Sequence, residues 1–179
     1  PWAAFIFAGS TFPQGYSSET GADMLLTNAA ANINKPRGSL ESLDDVTAIF
    51  KAQPEETMLN FLKASIKTNK EETEDIKKLH QAYSDGRFEE LIPLLEETEQ
   101  RTLKRVDTKY AKAMSDWLKN DLLIRRNLAW LPEIRKQSAK QSTLFAVGIA
   151  HLPSGKGLIE LLRQEGYQVT PEPKVLIWQ

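Results

Sequence analysis

The sequence predicts an α/β domain, a sheet with flanking helices and a long helical insert, and two stretches carry that expectation. Ser142 to Gly166 reads STLFAVGIAHLPSGKGLIELLRQEG, in which Thr143 to Ile149 is a short apolar run with β-branched and aromatic members, the pattern of a strand buried on both faces. Pro54 to Gln141, by contrast, is helical in pattern almost throughout. At 179 residues the chain is long enough for one ordinary core, so 1–179 reads as a single domain with its helical insert at about 54–141.

Composition excludes several classes of function. Lys plus Arg (23) nearly balance Asp plus Glu (24), so no global field recruits nucleic acid or an anionic membrane. Without cysteine there is no disulfide, no thiolate metal site and no thiol nucleophile. No apolar stretch approaches the roughly 18 to 20 residues that a membrane-spanning helix needs.

In chain order, Trp2 to Phe7 is an apolar run compatible with a strand or the tail of a helix, and Gly9 to Gly21 has loop composition. Ala22 to Asn32 reads as a short helix with Met24, Leu25 and Ala29 on one side. Ser42 followed by Asp45 matches a capping box, with Val46, Ile49 and Phe50 as the apolar face of the helix it opens. Glu41 thus stands at a helix entrance, where a carboxylate also complements the positive helix end. Pro54-Glu55-Glu56 suits a first turn, and Met58, Leu59, Leu62 and Ile66 form a stripe. A further helix with Ile76, Leu79 and Tyr83 ends at Asp85-Gly86, and a short one follows with Phe88, Leu91, Ile92 and Leu95. Charges such as Lys70-Glu71-Glu72 read as a solvated helix surface, and His80 as part of that surface or its edge.

Leu103 to Ile134 is a long helical pattern in which Leu123, Asn127, Leu131 and Ile134 share a stripe, with Pro132 expected to bend or restart the helix. Asn127 is the polar member of that stripe. A buried amide left unpaired costs roughly 1–3 kcal/mol, so Asn127 either holds neighbouring backbone or faces a polar cavity. Arg126 stacks over Leu122 and Trp130 and reaches the same region.

After the Thr143 to Ile149 strand, Gly155 to Glu165 reads as a helix capped by Gly166, and Tyr167 to Thr170 as a further strand. His151 then lies just past the carboxyl end of a strand, where open α/β sheets bind ligands, although a loop histidine also serves as a hydrogen-bonding brace. Two nearby motifs fail. Six residues separate Gly148 from Gly155 and Gly157 follows Lys156, unlike a Walker loop, so no nucleotide is expected. Leu152 occupies the place where a nucleophile elbow around Ser154 requires glycine.

PWAAFIF, then GAD at Gly21 to Asp23, GSLES at Gly38 to Ser42, RRN at Arg125 to Asn127 and VGIAHLPSGKGLIELLRQEGYQV resemble, in order and spacing, successive blocks of the TraB/PrgY/GumN family, which includes the Tiki-type metalloproteases. The last block is the most specific. The resemblance implies a sheet with a helical insert, similar to erythromycin-esterase and ChaN-like proteins. It also implies a site of two Gly-x-x-His motifs and a glutamate that hydrolyses peptides outside the cytoplasm. His151 matches the second histidine, Glu41 the glutamate, and Arg126 and Asn127 the Arg-Asn pair.

On that resemblance His151 and Glu41 are the metal-ligand candidates for Zn²⁺, Mn²⁺ or Co²⁺, and Arg126 or Asn127 steadies developing negative charge. Val46 stands where the family often carries glutamine, and Ser39 interrupts the Gly-Leu-Glu triplet. The first Gly-x-x-His is not among these residues and is expected upstream of Trp2, so the chain as given reads as N-terminally incomplete and inactive in metal catalysis. The alternative reading is a non-catalytic protein that binds or sequesters a peptide signal, as PrgY-type members are thought to do. A further alternative places an interaction surface on Met58 to Leu95.

Overall fold

The computed structural model describes residues 21–171, and the regular secondary structure there is entirely helical. The order is α1 (Ala22–Asn32), α2 (Leu43–Lys51), α3 (Glu55–Ser84), α4 (Phe88–Leu103), α5 (Thr108–Asp116), a π-helix (Trp117–Ile124), α6 (Arg125–Lys140), a 3-10 turn (Ile149–His151) and α7 (Leu158–Gln164). The expected α/β fold with its erythromycin-esterase or ChaN-like sheet is therefore corrected: the described residues contain no strand. The Trp2 to Phe7 run and nearly all of the Gly9 to Gly21 segment lie outside the described residues.

The correction has a physical cause. Apolar and β-branched composition suits a pleated surface, but a strand exists only where another segment supplies its hydrogen bonds. Ser142 to Gly148 has no regular structure, and Leu144 is 75% exposed while Phe145 and Val147 are half-buried, so the run does not have two buried faces. Ile149 then enters the 3-10 turn rather than a strand, and Tyr167 to Thr170 is likewise irregular.

Two compact units divide the chain, Pro1–Leu122 and Leu123–Gln179, with the boundary inside the π-helix. In the first, the capping box forms as the sequence indicates: Asp45 N–H donates to Ser42 Oγ at 3.1 Å and Ser42 N–H donates to Asp45 Oδ2 at 2.9 Å. The two helices expected between Pro54 and Asp85 are one helix of 30 residues. Conversely, the single pattern from Leu103 onward is interrupted. Leu103 ends α4, and Asp107 opens α5 by accepting from Lys109 N–H at 3.0 Å.

α3 and α4 are joined through the short Asp85–Arg87 turn and cross-linked by polar groups. Asp75 on α3 is buried, accepts from Thr98 Oγ1 at 3.0 Å and pairs with Arg101 on α4. Glu71 pairs with Arg105 at 2.9 Å. Part of what reads as a solvated charged surface is thus a contact between α3 and the turn that follows α4. The core of this unit is Met58, Leu103, Met114 and Trp117, flanked by Ile49, Phe50, Phe61, Leu118 and Leu122, with Phe50 edge-on to Trp117 at 5.1 Å.

In the second unit α6 buries Trp130, Leu131 and Ile134, and α7 buries Leu158 and Leu161. α6 runs through Pro132 as one element. Proline removes one backbone donor, the partner of the Leu128 carbonyl, and Leu128 is 45% exposed, so solvent can serve that oxygen. α7 begins at Leu158 rather than Gly155, and it ends in a Schellman motif. Gly166, at φ +90°, donates to Arg163 O at 3.0 Å and Tyr167 N–H donates to Leu162 O at 3.0 Å.

Candidate functional site

α6 sets out the first half of the site. Asn127 and Trp130 lie three residues apart and therefore share the buried face, while Arg126 is half-buried beside them. The second half comes from the 3-10 turn, which His151 closes by donating its N–H to Gly148 O at 2.9 Å. His151 itself is only 6% exposed.

The chain from Leu152 to Gly157 folds tightly back toward α7. Gly157 N–H donates to Ser154 O at 3.0 Å, and Ile159 N–H donates to Leu152 O at 3.2 Å. A Cβ at Gly157 would lie 1.9 Å from Pro153 O, so only glycine allows this close approach. Ser154 adopts φ 80°, a left-handed conformation unusual for a residue with a side chain.

Asn127 joins the two halves. Its Nδ2 donates to His151 O at 3.2 Å and to Lys156 O at 2.9 Å, and its Oδ1 lies 2.7 Å from His151 Nδ1. Of the alternatives open in the sequence, a braced backbone or a polar cavity, the structure shows the brace. On the other edge of the imidazole, Arg126 Nη1 lies 3.4 Å from Nε2. Trp130 packs against both partners, with its ring 4.5 Å from the His151 ring and 5.0 Å from the Arg126 guanidinium carbon.

Three of the four site residues read from the sequence, Arg126, Asn127 and His151, are thus in mutual contact within the second unit. Glu41 belongs to the first unit, half-buried in the turn before α2. The helix start beside it is served by Ser42 and Asp45. There the Ser42 hydroxyl and backbone N–H hold the Asp45 carboxyl below its ordinary pKa. Trp130 is the member that sequence reasoning treated only as a support for Arg126. The signal was its spacing, i+4 from Arg126 and i+3 from Asn127.

With Nδ1 facing the Asn127 amide oxygen, the other ring nitrogen of His151, Nε2, faces the Arg126 guanidinium, a fixed positive charge. Among the described residues no three His, Cys, Asp or Glu side chains cluster so as to hold a metal ion. A single anchored imidazole fits one position of a metal site, provided the Arg126 guanidinium withdraws from Nε2. No described helix is long and apolar enough to cross a membrane. An open groove of about 570 Å³ between Arg135, Ala139, Glu165, Gly166 and Tyr167 contains none of the site residues.

The family model described as TraB/PrgY/gumN matches residues 1–171. Comparison with curated proteins and with solved structures returns no match.

Proposed function

The chain belongs to the TraB/PrgY/gumN family, and from that premise we propose that it is a metal-dependent hydrolase that acts on peptides outside the cytoplasm. The observation that supports this reading is the buried contact of 2.7 Å between His151 Nδ1 and Asn127 Oδ1. Histidines that ligate metals or move protons are characteristically anchored through one ring nitrogen so that the other is aimed and basic.

His151 Nε2 is the atom that would hold Zn²⁺, Mn²⁺ or Co²⁺. When bound, such an ion supplies a polarised carbonyl and a water of lowered pKa. The chain's own residues orient the imidazole through Asn127 and offer the Arg126 charge to a developing oxyanion.

The test is metal content by mass spectrometry on the purified chain and on the full natural protein, each with and without His151→Ala and Glu41→Gln, with folding checked by circular dichroism. Stoichiometric metal in a form that loses it with His151→Ala is the expected result and justifies a peptidase screen. A folded full protein without metal overturns the reading.

One observation favours a second reading. A guanidinium 3.4 Å from His151 Nε2 suits recognition of a peptide carboxylate without cleavage, as in a protein that sequesters a peptide signal. Peptide binding that survives metal chelation and falls with Arg126→Ala, with no product formed, is the outcome that selects it.

A further inference from the structure

We propose that Asn127 is a positioning residue that sets the tautomer of His151, holding the neutral ring with its proton on Nδ1 and its lone pair on Nε2. The two contacts of Asn127 Nδ2 are with backbone carbonyls, His151 O at 3.2 Å and Lys156 O at 2.9 Å, and a carbonyl oxygen only accepts. The amide nitrogen must therefore face the loop. Rotating the amide by half a turn would set its oxygen against both carbonyls.

The amide oxygen is consequently the atom facing His151 Nδ1 at 2.7 Å, and an oxygen without hydrogen requires a donor there. Nδ1 carries the proton. A free neutral imidazole more often carries its proton on Nε2, so the site selects the less common form. The other edge agrees with this assignment: Arg126 has only N–H groups to offer, and its Nη1 lies 3.4 Å from Nε2, which must then accept. The same amide closes the loop through Lys156, so the loop's closure and the tautomer depend on one side chain. Because Asn127 is 2% exposed and His151 6%, little water reaches the pair to exchange these roles.

This deepens the reading above by naming Nε2 as the working atom, and it rests on that reading only for what Nε2 then binds. The test needs no activity. Long-range proton–nitrogen correlation spectra of the ¹⁵N-labelled chain, with the rings neutral, report which nitrogen of each histidine is protonated. The chain has 2 histidines, and exposed His80, assigned through His80→Gln, serves as the internal reference.

The expected result is an Nδ1–H signature for His151 and a shift toward Nε2–H in Asn127→Ala. Asn127→Asp retains an acceptor for Nδ1 but turns its second oxygen on the loop carbonyls. It should keep the Nδ1–H form while amide exchange at Gly157 and Ile159 accelerates. An Nε2–H signature in the unmodified chain overturns the proposal without any variant. Faster loop exchange in Asn127→Ala with the tautomer unchanged, or loss of Nδ1–H in folded Asn127→Asp, overturns it equally. If the tautomer is as expected and metal content is nil, the hydrolase reading fails and this one stands.

Discussion

The two largest fully buried side chains of the described structure are Met114 in the first unit and Asn127 in the second, and they are buried for opposite reasons. Met114 sits among Met58, Leu103 and Trp117, where shape and volume decide the energy. Asn127 sits among two backbone carbonyls and an imidazole, where each neighbour constrains the identity of one of its atoms. The first centre should tolerate substitution by an apolar side chain of similar volume. The second should tolerate almost none.

Truncation of the apolar centre is expected to be costly. Met114→Ala removes buried methylene and sulfur contacts and should cost about 2–5 kcal/mol in denaturant unfolding. Volume-conserving swaps divide the two centres more sharply. Met114→Leu should cost less than about 1.5 kcal/mol, whereas Asn127→Leu strands a ring N–H and two carbonyls, each worth roughly 1–3 kcal/mol when left unpaired. Equal losses for the two leucine variants would erase the distinction between the two centres.

Gly157→Ala should cost on the order of 1–3 kcal/mol as overpacking, because the added Cβ meets backbone rather than a movable side chain. That loss should appear as faster amide exchange around His151 before any change in the first unit. Ser42→Ala, confined to the first unit, should cost about 0.5–2 kcal/mol through α2 alone. Lys112→Ala removes an exposed pair with Asp116 and should stay within about 0.5 kcal/mol of the parent.

Acid sharpens the comparison. The Asp45 carboxyl is held below its ordinary value by the Ser42 hydroxyl first and the Ser42 backbone N–H second. Its contribution is complete above the pKa of an unfolded aspartate and is lost as pH falls through the lower folded value. Glu71, lowered by its hydrogen bond with Arg105, follows the same sign. Acid titration of helicity should therefore loosen the first unit through these carboxylates, and Asp45→Asn should remove the α2 share of that dependence.

Much of the helical layer was legible because its signals are local. Ser42 with Asp45 marks a cap by spacing alone, and Gly166 closes α7 through the one backbone conformation glycine readily supplies. The join of Met58–Ile66 with Ile76–Tyr83 was not legible, since nothing local breaks α3 between them and its length is set by packing against α4. The interruption after Leu103 has a local signal in Asp107, a capping residue that the reading of one helical pattern from Leu103 to Ile134 passed over.

By itself the sequence determined that Asn127 needs partners, that Arg126 accompanies it, and that a glycine-bounded loop presents His151. Each follows from helical period or backbone freedom within a few residues. The tertiary structure decided the rest: that the partners are His151 and Lys156, that Trp130 packs against both arginine and imidazole, and that Thr143 to Gly148 pairs with no described segment. Those outcomes depend on groups brought together from distant positions. Hydrogen bonds to a strand or to a buried amide are completed by atoms that no local pattern contains.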